Sequence, residues 1–261
     1  MAVRTTKTTG AADASSVRSV RRALAILRAF GPSDRGLALG DIARRADLDK
    51  ATARRLLRTL MAEGVMHQDA AGKAYGLALG ALTLAAGPTP ADPLRRRAQP
   101  ILAALARATG ATAFVAVPYE GEALCIEVAM GEPVPACPVA VGGRVKLHAC
   151  AGPRVLMAFL PLEARMALLA GPLPALTAAT PTDPFLLSST LDTIRQRGWE
   201  AGSGEVVPGI ASVAVPVRAS RGDVVAVLGL AGPDAEILAG GQPRHLDLLL
   251  SKAEDLGRRI G

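Results

Sequence analysis

A chain of 261 residues that is 50% hydrophobic has enough apolar material for two modest cores, and at 3% aromatics those cores are built from Ala, Val and Leu. The formal charge of +7 is unevenly placed: residues 1–80 carry 14 Lys and Arg against 7 Asp and Glu, whereas residues 81–261 carry 16 of each. A basic domain joined to a neutral one points to a polyanion-binding module attached to something else, and Cys125, Cys137 and Cys150, odd in number and without metal-ligand spacing, argue against a disulfide scaffold or a zinc site.

Residues 1–15, with Arg4, Lys7 and several Thr, read as a disordered basic tail without the apolar segment of a signal peptide. No apolar run reaches the length of a membrane span. The expectation is a cytoplasmic protein without membrane contact.

Residues 17–30 (VRSVRRALAILRAF) form an amphipathic helix with Val20, Ala23, Leu24, Leu27 and Phe30 on one face, ended by Gly31 and Pro32. Residues 39–46 give a second short helix with Ile42 and Ala43 inward, and Asp47-Leu48 makes a tight connection into a third. On that third helix Ala53, Leu56, Leu57 and Leu60 share an apolar face, while Arg55 and Arg58 lie opposite and Lys50, Thr52 and Arg54 flank them. Asp49 is placed to cap it and Gly64 to stop it. Taken alone this helix fits a DNA groove and a solvated protein surface equally well. Two short helices joined by a turn, the second arginine-faced, follow the helix-turn-helix plan. Residues 65–68 and 73–77 around an Asp69-to-Gly72 turn then form a hairpin, or wing, with Lys73 at its tip. His67 reads as a half-exposed strand residue.

Residues 77–86 read as a linker helix whose Leu77, Leu79, Leu82 and Leu84 can pair or pack, and Gly87-Pro88-Thr89-Pro90 ends it. A longer helix from Asp92, kinked at Pro100, runs to Gly110, with Arg95 to Arg97 as a charge run that fits a solvated face better than a phosphate contact. Beyond it the pattern is mixed. Strands are expected at 113–117, 123–128, 139–141, from Trp199, at 210–217 and at 224–231; helices at 148–160, 162–170, 184–197 and 243–260. Hairpin-paired strands with helices between them argue for a largely antiparallel sheet covered on one or both faces.

Enzyme chemistry has one candidate set, His148 with Cys150 and Glu205, but no nucleophile elbow or oxyanion motif accompanies it. No cofactor motif is present either; Gly202-Ser203-Gly204-Glu205 is too short for a dinucleotide fingerprint. A small-molecule pocket is the better use of the loop at 142–152, where small residues (Ala149, Ala151, Gly152) open a helix whose first N–H groups suit a carboxylate. A plain glycine-rich turn packed on the sheet fits those residues equally well.

In order, these segments resemble the isocitrate-lyase-regulator (IclR) family of transcription factors, from Val17 to the C-terminus. SVRRALAILRAF is similar to the family's first-helix signature, LDKATARRLLRTLMAEGVM to its recognition-helix and strand run, and KAYGLALGALTLA to its wing-to-linker segment. PILAALARATG, KLHACAG, RGWEAGSGEVVPGIASVAVPV and VVAVLGLAGP follow in family order. The resemblance implies a winged helix-turn-helix over 16–76, a linker helix and hinge over 77–93, and an α+β effector-binding domain of GAF/profilin-like type over 94–261. It implies a regulator that is not an enzyme. Such a regulator binds a double-stranded operator as a dimer or dimer of dimers, answers a small organic acid and controls a neighbouring catabolic operon. Lys50, Thr52, Arg54 and Arg55 fall at the family's recognition-helix positions; Arg58, Lys73 and, in the first-helix segment, Ser19 and Arg22 complete the expected DNA face. Val145, Ala151, Gly152, Gly202, Ile210, Ser212, Gly229 and Ala231 fall at its pocket positions, to which His148, Ala149 and Cys150 of the same loop are added.

The departures carry information. Ala51 stands where Ser is frequent, Pro153-Arg154 where Gly-Lys is usual, and Gly202, Gly229 and Ala231 where polar side chains are common. A less polar pocket is expected, or one that holds its ligand through backbone groups, suited to an aromatic or longer aliphatic acid rather than to glyoxylate. The competing readings are a hydrolase or thiol enzyme at His148 and Cys150, and a ligand-independent DNA-binding protein.

Overall fold

The computed structural model describes residues 17–31, 34–131 and 139–260. The expected tail at 1–15, Pro32 and Cys137 lie outside them. Contacts divide the chain into two units between Pro90 and Ala91.

In the first unit, α1 (Arg18–Arg28), α2 (Leu39–Arg45) and α3 (Lys50–Ala62) pack around Ile26, Leu37, Ile42, Leu57, Met66 and Tyr75. The α2–α3 turn is tight because Asp47 adopts a left-handed φ of 53°, a conformation short polar residues tolerate. The Leu48 N–H then donates to Ala43 O at 2.9 Å. Strands β1 (Met66–Gln68) and β2 (Tyr75–Leu77) pair antiparallel as the hairpin expected from the sequence. Its Asp69-to-Gly72 turn is closed by the Gly72 N–H on Asp69 O.

Two features of this unit differ from expectation. The buried face of α1 is centred on Ile26, rotated from the expected stripe, so that Val17, Val20 and Leu24 stay exposed. The linker helix α4 is shorter, Gly80–Ala85, because Leu77 is used in β2 and the Ala78 N–H donates to Val65 O. Gly80 is required where α4 begins: a Cβ there would stand 2.2 Å from Gly64 O. Leu79, Leu82 and Leu84 are exposed.

The second unit opens with α5 (Asp92–Thr109), ended by Gly110 at φ 70°. A six-stranded, wholly antiparallel sheet follows, in the order β5-β4-β3-β8-β7-β6. Its strands are β3 (Thr112–Tyr119), β4 (Glu122–Ala129), β5 (Arg144–Lys146), β6 (Glu200–Ser203), β7 (Ile210–Arg218) and β8 (Val224–Pro233). The expected strand at 139–141 is replaced by β5 at 144–146, which pairs with the edge of β4. Helices α6 (Ala151–Ala158), α7 (Leu162–Leu169) and α8 (Pro184–Arg197) are inserted between β5 and β6. After β8 come a short turn α9 (Asp234–Ile237) and a small hairpin of β9 (Leu238–Ala239) and β10 (Gln242–Pro243), neither of them expected. They delay the closing helix α10 to Leu246–Ile260.

Alternation along the strands divides the apolar side chains between two cores. Ala113, Val115, Val213, Val215, Leu228 and Leu230 point to a core shared with α5 and α10. Phe114, Ala116, Ala214, Val227 and Ala231 point to one shared with α6 and α8. The sheet is therefore covered on both faces, which the continuous apolar run of β8 requires. Arg95 is not part of a solvated face as expected; it reaches Glu127 at 3.3 Å and Asp92 at 3.5 Å, while Arg96 and Arg97 are exposed.

Candidate functional site

Helix α3 owes its orientation to its own sequence. Ala53 and Leu57 are fully buried and Leu56 and Leu60 partly, so the opposite face must point outward. Asp49 caps the helix by accepting from the Thr52 N–H at 2.8 Å, and that bond holds its carboxyl below the ordinary range. Lys50, Ala51, Arg54, Arg55 and Arg58 are exposed and Thr52 is half-buried. Among the described residues no carboxylate pairs with Lys50, Arg54, Arg55, Arg58 or the exposed Lys73. The arginines of α2 behave differently: Arg44 pairs with Asp41, and Arg45 with Asp34. The cations of α3 are thus left uncompensated on its exposed side, an arrangement that suits a polyanion. Lys73 is set at the hairpin turn by its own N–H on Asp69 Oδ1 at 2.7 Å. Ser19 is exposed and Arg22 half-buried on α1.

The second unit holds a partly open cavity of about 90 Å³ lined by one face of the sheet from β5 to β6, the loop at 139–143, the start of α6 and the loop after β6. The register explains how it forms. Gly202, Ser212 and Ala231 are direct neighbours across β6, β7 and β8, and all three line it. Val145, Cys150 and Ile210 line it as well.

Five expected ligand positions are placed elsewhere. Gly229 pairs with Phe114 and Ala214 in neighbouring strands, and a Cβ on it would lie 2.4 Å from the Phe114 ring. Gly152 meets the same ring, at 3.3 Å from its would-be Cβ, so both glycines seat Phe114 instead of touching the cavity. Ala149 and Ala151 are fully buried in packing. His148 turns away, its Nε2 3.0 Å from Pro174 O. Sequence reasoning missed Phe114 and Pro153 as walls, and it took Glu205 only as part of a catalytic set.

The charged group at the cavity, Glu205, belongs to an ion-pair chain that is buried except at the exposed Arg197. Arg154, 3% exposed, donates to Glu205 Oε1 at 2.8 Å and lies 3.5 Å from Glu200 Oε1, while Arg197 reaches Glu200 Oε2 at 2.7 Å. Burial raises the Glu205 carboxyl above the ordinary range, against the pull of Arg154. Burial pushes the Cys150 thiol up to about 12 and lowers His148. A thiol held neutral, beside a histidine bonded elsewhere, is not an activated nucleophile. Among the described residues no group of His, Cys, Asp and Glu could hold a metal ion, and no helix is long and apolar enough to cross a membrane.

With this geometry in place, comparison with known proteins is direct. The family model for the bacterial transcriptional regulator IclR C-terminal domain matches residues 90–258, and that for the IclR helix-turn-helix domain matches residues 19–70. The glycerol operon regulatory protein of Streptomyces griseus is 33% identical over 230 residues, 88% of this chain and 90% of its own. The Pca regulon regulatory protein of Pseudomonas putida is 29% identical over 251 residues, 95% and 86%. An IclR homologue from Microbacterium hydrocarbonoxydans, solved with 4-hydroxybenzoate, superposes with a TM-score of 0.76 at 25% identity, covering 93% of this chain and 98% of that one. The regulator from Alicyclobacillus acidocaldarius gives 0.76 at 26% identity, covering 94% and 100%.

Proposed function

The chain belongs to the IclR family of bacterial transcriptional regulators, and from that premise we propose which of its residues meet DNA and which meet the effector. It is a ligand-responsive DNA-binding regulator of a metabolic operon and not an enzyme. The observation that carries the DNA assignment is the uncompensated cation row on α3. Arg55 and Arg58 face the groove, Lys50 and Thr52 act at its N-terminal end, and Arg54, Lys73, Ser19 and Arg22 support from the flanks. Ala51 supplies no hydroxyl, so specificity leans on the charged neighbours. Arginine forks at guanine edges contribute about 1–3 kcal/mol each. Arg55→Ala is therefore expected to weaken operator binding roughly ten-fold or more, with an unchanged circular dichroism spectrum. A gel-shift titration showing wild-type affinity would remove Arg55 from the interface.

The second unit, a GAF/profilin-like sandwich in this reading, is the effector domain, and its apolar cavity is the effector site. A small aromatic or aliphatic acid suits those walls, and the 4-hydroxybenzoate in the Microbacterium hydrocarbonoxydans homologue supports that class. A thermal-shift titration with 4-hydroxybenzoate and related acids tests it; a melting temperature that no acid moves would favour the ligand-independent reading.

We read the protein as a cytoplasmic homodimer, or a pair of dimers, acting on a neighbouring catabolic operon. One winged module contacts few base pairs, so useful specificity requires two half-sites. The exposed Leu79, Leu82 and Leu84 of α4, with Val17, Val20 and Leu24 at α1, offer the apolar surface for pairing. Sedimentation showing only monomer at micromolar concentration would contradict this.

A further inference from the structure

Among the described residues that line the cavity, Glu205 is the only carboxylate, and its hydrogen bonding is incomplete. Oε1 accepts from Arg154, but Oε2 is buried with no partner among the described residues. The residue as a whole is 9% exposed. The carboxylate lies directly over Gly202: a Cβ at that position would stand 2.0 Å from Oε2. Glu205 therefore fills the space that any side chain at position 202 would take.

The loop that carries it is firmly held. Thr180 Oγ1 donates to Glu205 O at 2.6 Å, Thr177 Oγ1 to Gly204 O at 2.7 Å, and the Gly204 N–H to Ile210 O at 2.9 Å. Thr180 is itself buried and fixed by the N–H groups of Leu176 and Thr177. A buried acceptor without a donor is costly unless something entering the site supplies one.

We propose that Glu205 is the specificity-determining anchor of this cavity, accepting a hydrogen bond from a hydroxyl group on a small, largely apolar ligand. The proposal rests on reading the cavity as the effector site. Charge selects the donor. The chain Glu205–Arg154–Glu200–Arg197 balances two carboxylates with two guanidiniums, so an ammonium would add an unpaired positive charge beside Arg154. A carboxylate at the same wall would face Glu205 itself, so an acid ligand turns its hydroxyl to Glu205 and its carboxylate to another wall of the cavity. A hydroxyl supplies the missing donor without either penalty. Ser212, beside Gly202 in the register, gives a second polar contact next to the first.

Matched small probes on the full-length protein test this: benzyl alcohol, benzyl methyl ether, benzylamine and benzoate, titrated by NMR. A site built to hydrogen-bond a hydroxyl discriminates strongly against an analogue without one, so the alcohol is expected to bind at least about ten-fold tighter than the ether. That ratio should collapse towards one in Glu205→Met. It should also collapse in Gly202→Ala, whose methyl takes the space of the Glu205 carboxyl group and so displaces it, and which decides the matter if Glu205→Met does not fold. Equal binding of alcohol and ether, a preference for benzylamine over the alcohol, or an undiminished ratio in Gly202→Ala would overturn the role of Glu205 and leave the cavity standing. Binding of none of the four would remove the cavity reading as well.

Discussion

Burial sets the chemistry of individual side chains in the second unit. Cys125 and Cys150 are both pushed up to about 12, chiefly by desolvation. At pH 8 that leaves roughly a thousand-fold less thiolate than an ordinary cysteine carries. Peptide mapping after iodoacetamide treatment should find both unlabelled in the native protein and labelled in denaturant; rapid native labelling of Cys150 would reopen the thiol-enzyme reading. Glu205 is raised by the same desolvation from its ordinary 4.5, with Arg154 on α6 and Glu200 on β6 as the charged groups facing it. The sign follows from linkage. The ionised form is the one the fold disfavours, so its cost is complete above the raised value, shrinks as pH falls through it and is gone below the ordinary one. Acidification from neutral pH towards the ordinary 4.5 should therefore raise the melting temperature of the wild type relative to Glu205→Met; parallel curves would contradict the shift. Asp34 has the opposite sign, held low by Arg45, so its contribution is present at neutral pH and is lost on acidification below about 3.8. The sequence revealed that positions 202 and 229 lack side chains, but not what replaces them. Gly202 is covered by a carboxylate three residues on, and Gly229 by a ring from a distant strand. Both substitutions depend on three-dimensional register, which local spacing does not encode.

At the scale of elements, local chemistry was the most legible part. Asp183 accepts from the N–H groups of Phe185 and Leu186 ahead of Pro184, and α8 spans the range that cap and stop imply, with Gly198 left-handed at its end. Asp183→Ala should lower stability by about 1 kcal/mol, read as a lower denaturant midpoint. In α3 the apolar spacing located the core, and Leu57→Ala, at a fully buried position, should cost about 2–5 kcal/mol with loss of DNA binding as the helix loosens. Where elements were misread, competition explains it. Both stripes of α1 satisfy helical spacing, and only packing against α2 and α3 selects Ile26 over Val20 and Leu24. Similarly, β5 at 144–146 is polar and short, a strand only because β4 offers an edge to Val145.

For the whole molecule, the division of charge matches a division of labour: a basic unit with uncompensated cations, and a neutral unit whose buried charges are paired around an apolar cavity. If three or more of Lys50, Arg54, Arg55, Arg58 and Lys73 meet phosphates, log affinity should fall with log salt with a slope of roughly −3 or steeper per protomer. In the function proposed above, these cations bind a specific operator and its occupancy answers a cavity ligand. The most direct test is a fluorescence-anisotropy titration of the full-length protein on DNA from upstream of its own gene, against an unrelated duplex, across a salt series and with and without a ligand shown to bind the cavity. The expected result is preferred binding of the upstream DNA, a steep salt slope and an affinity that shifts when the cavity is filled. Equal affinity for both duplexes, with no response to salt or to the ligand, would contradict it.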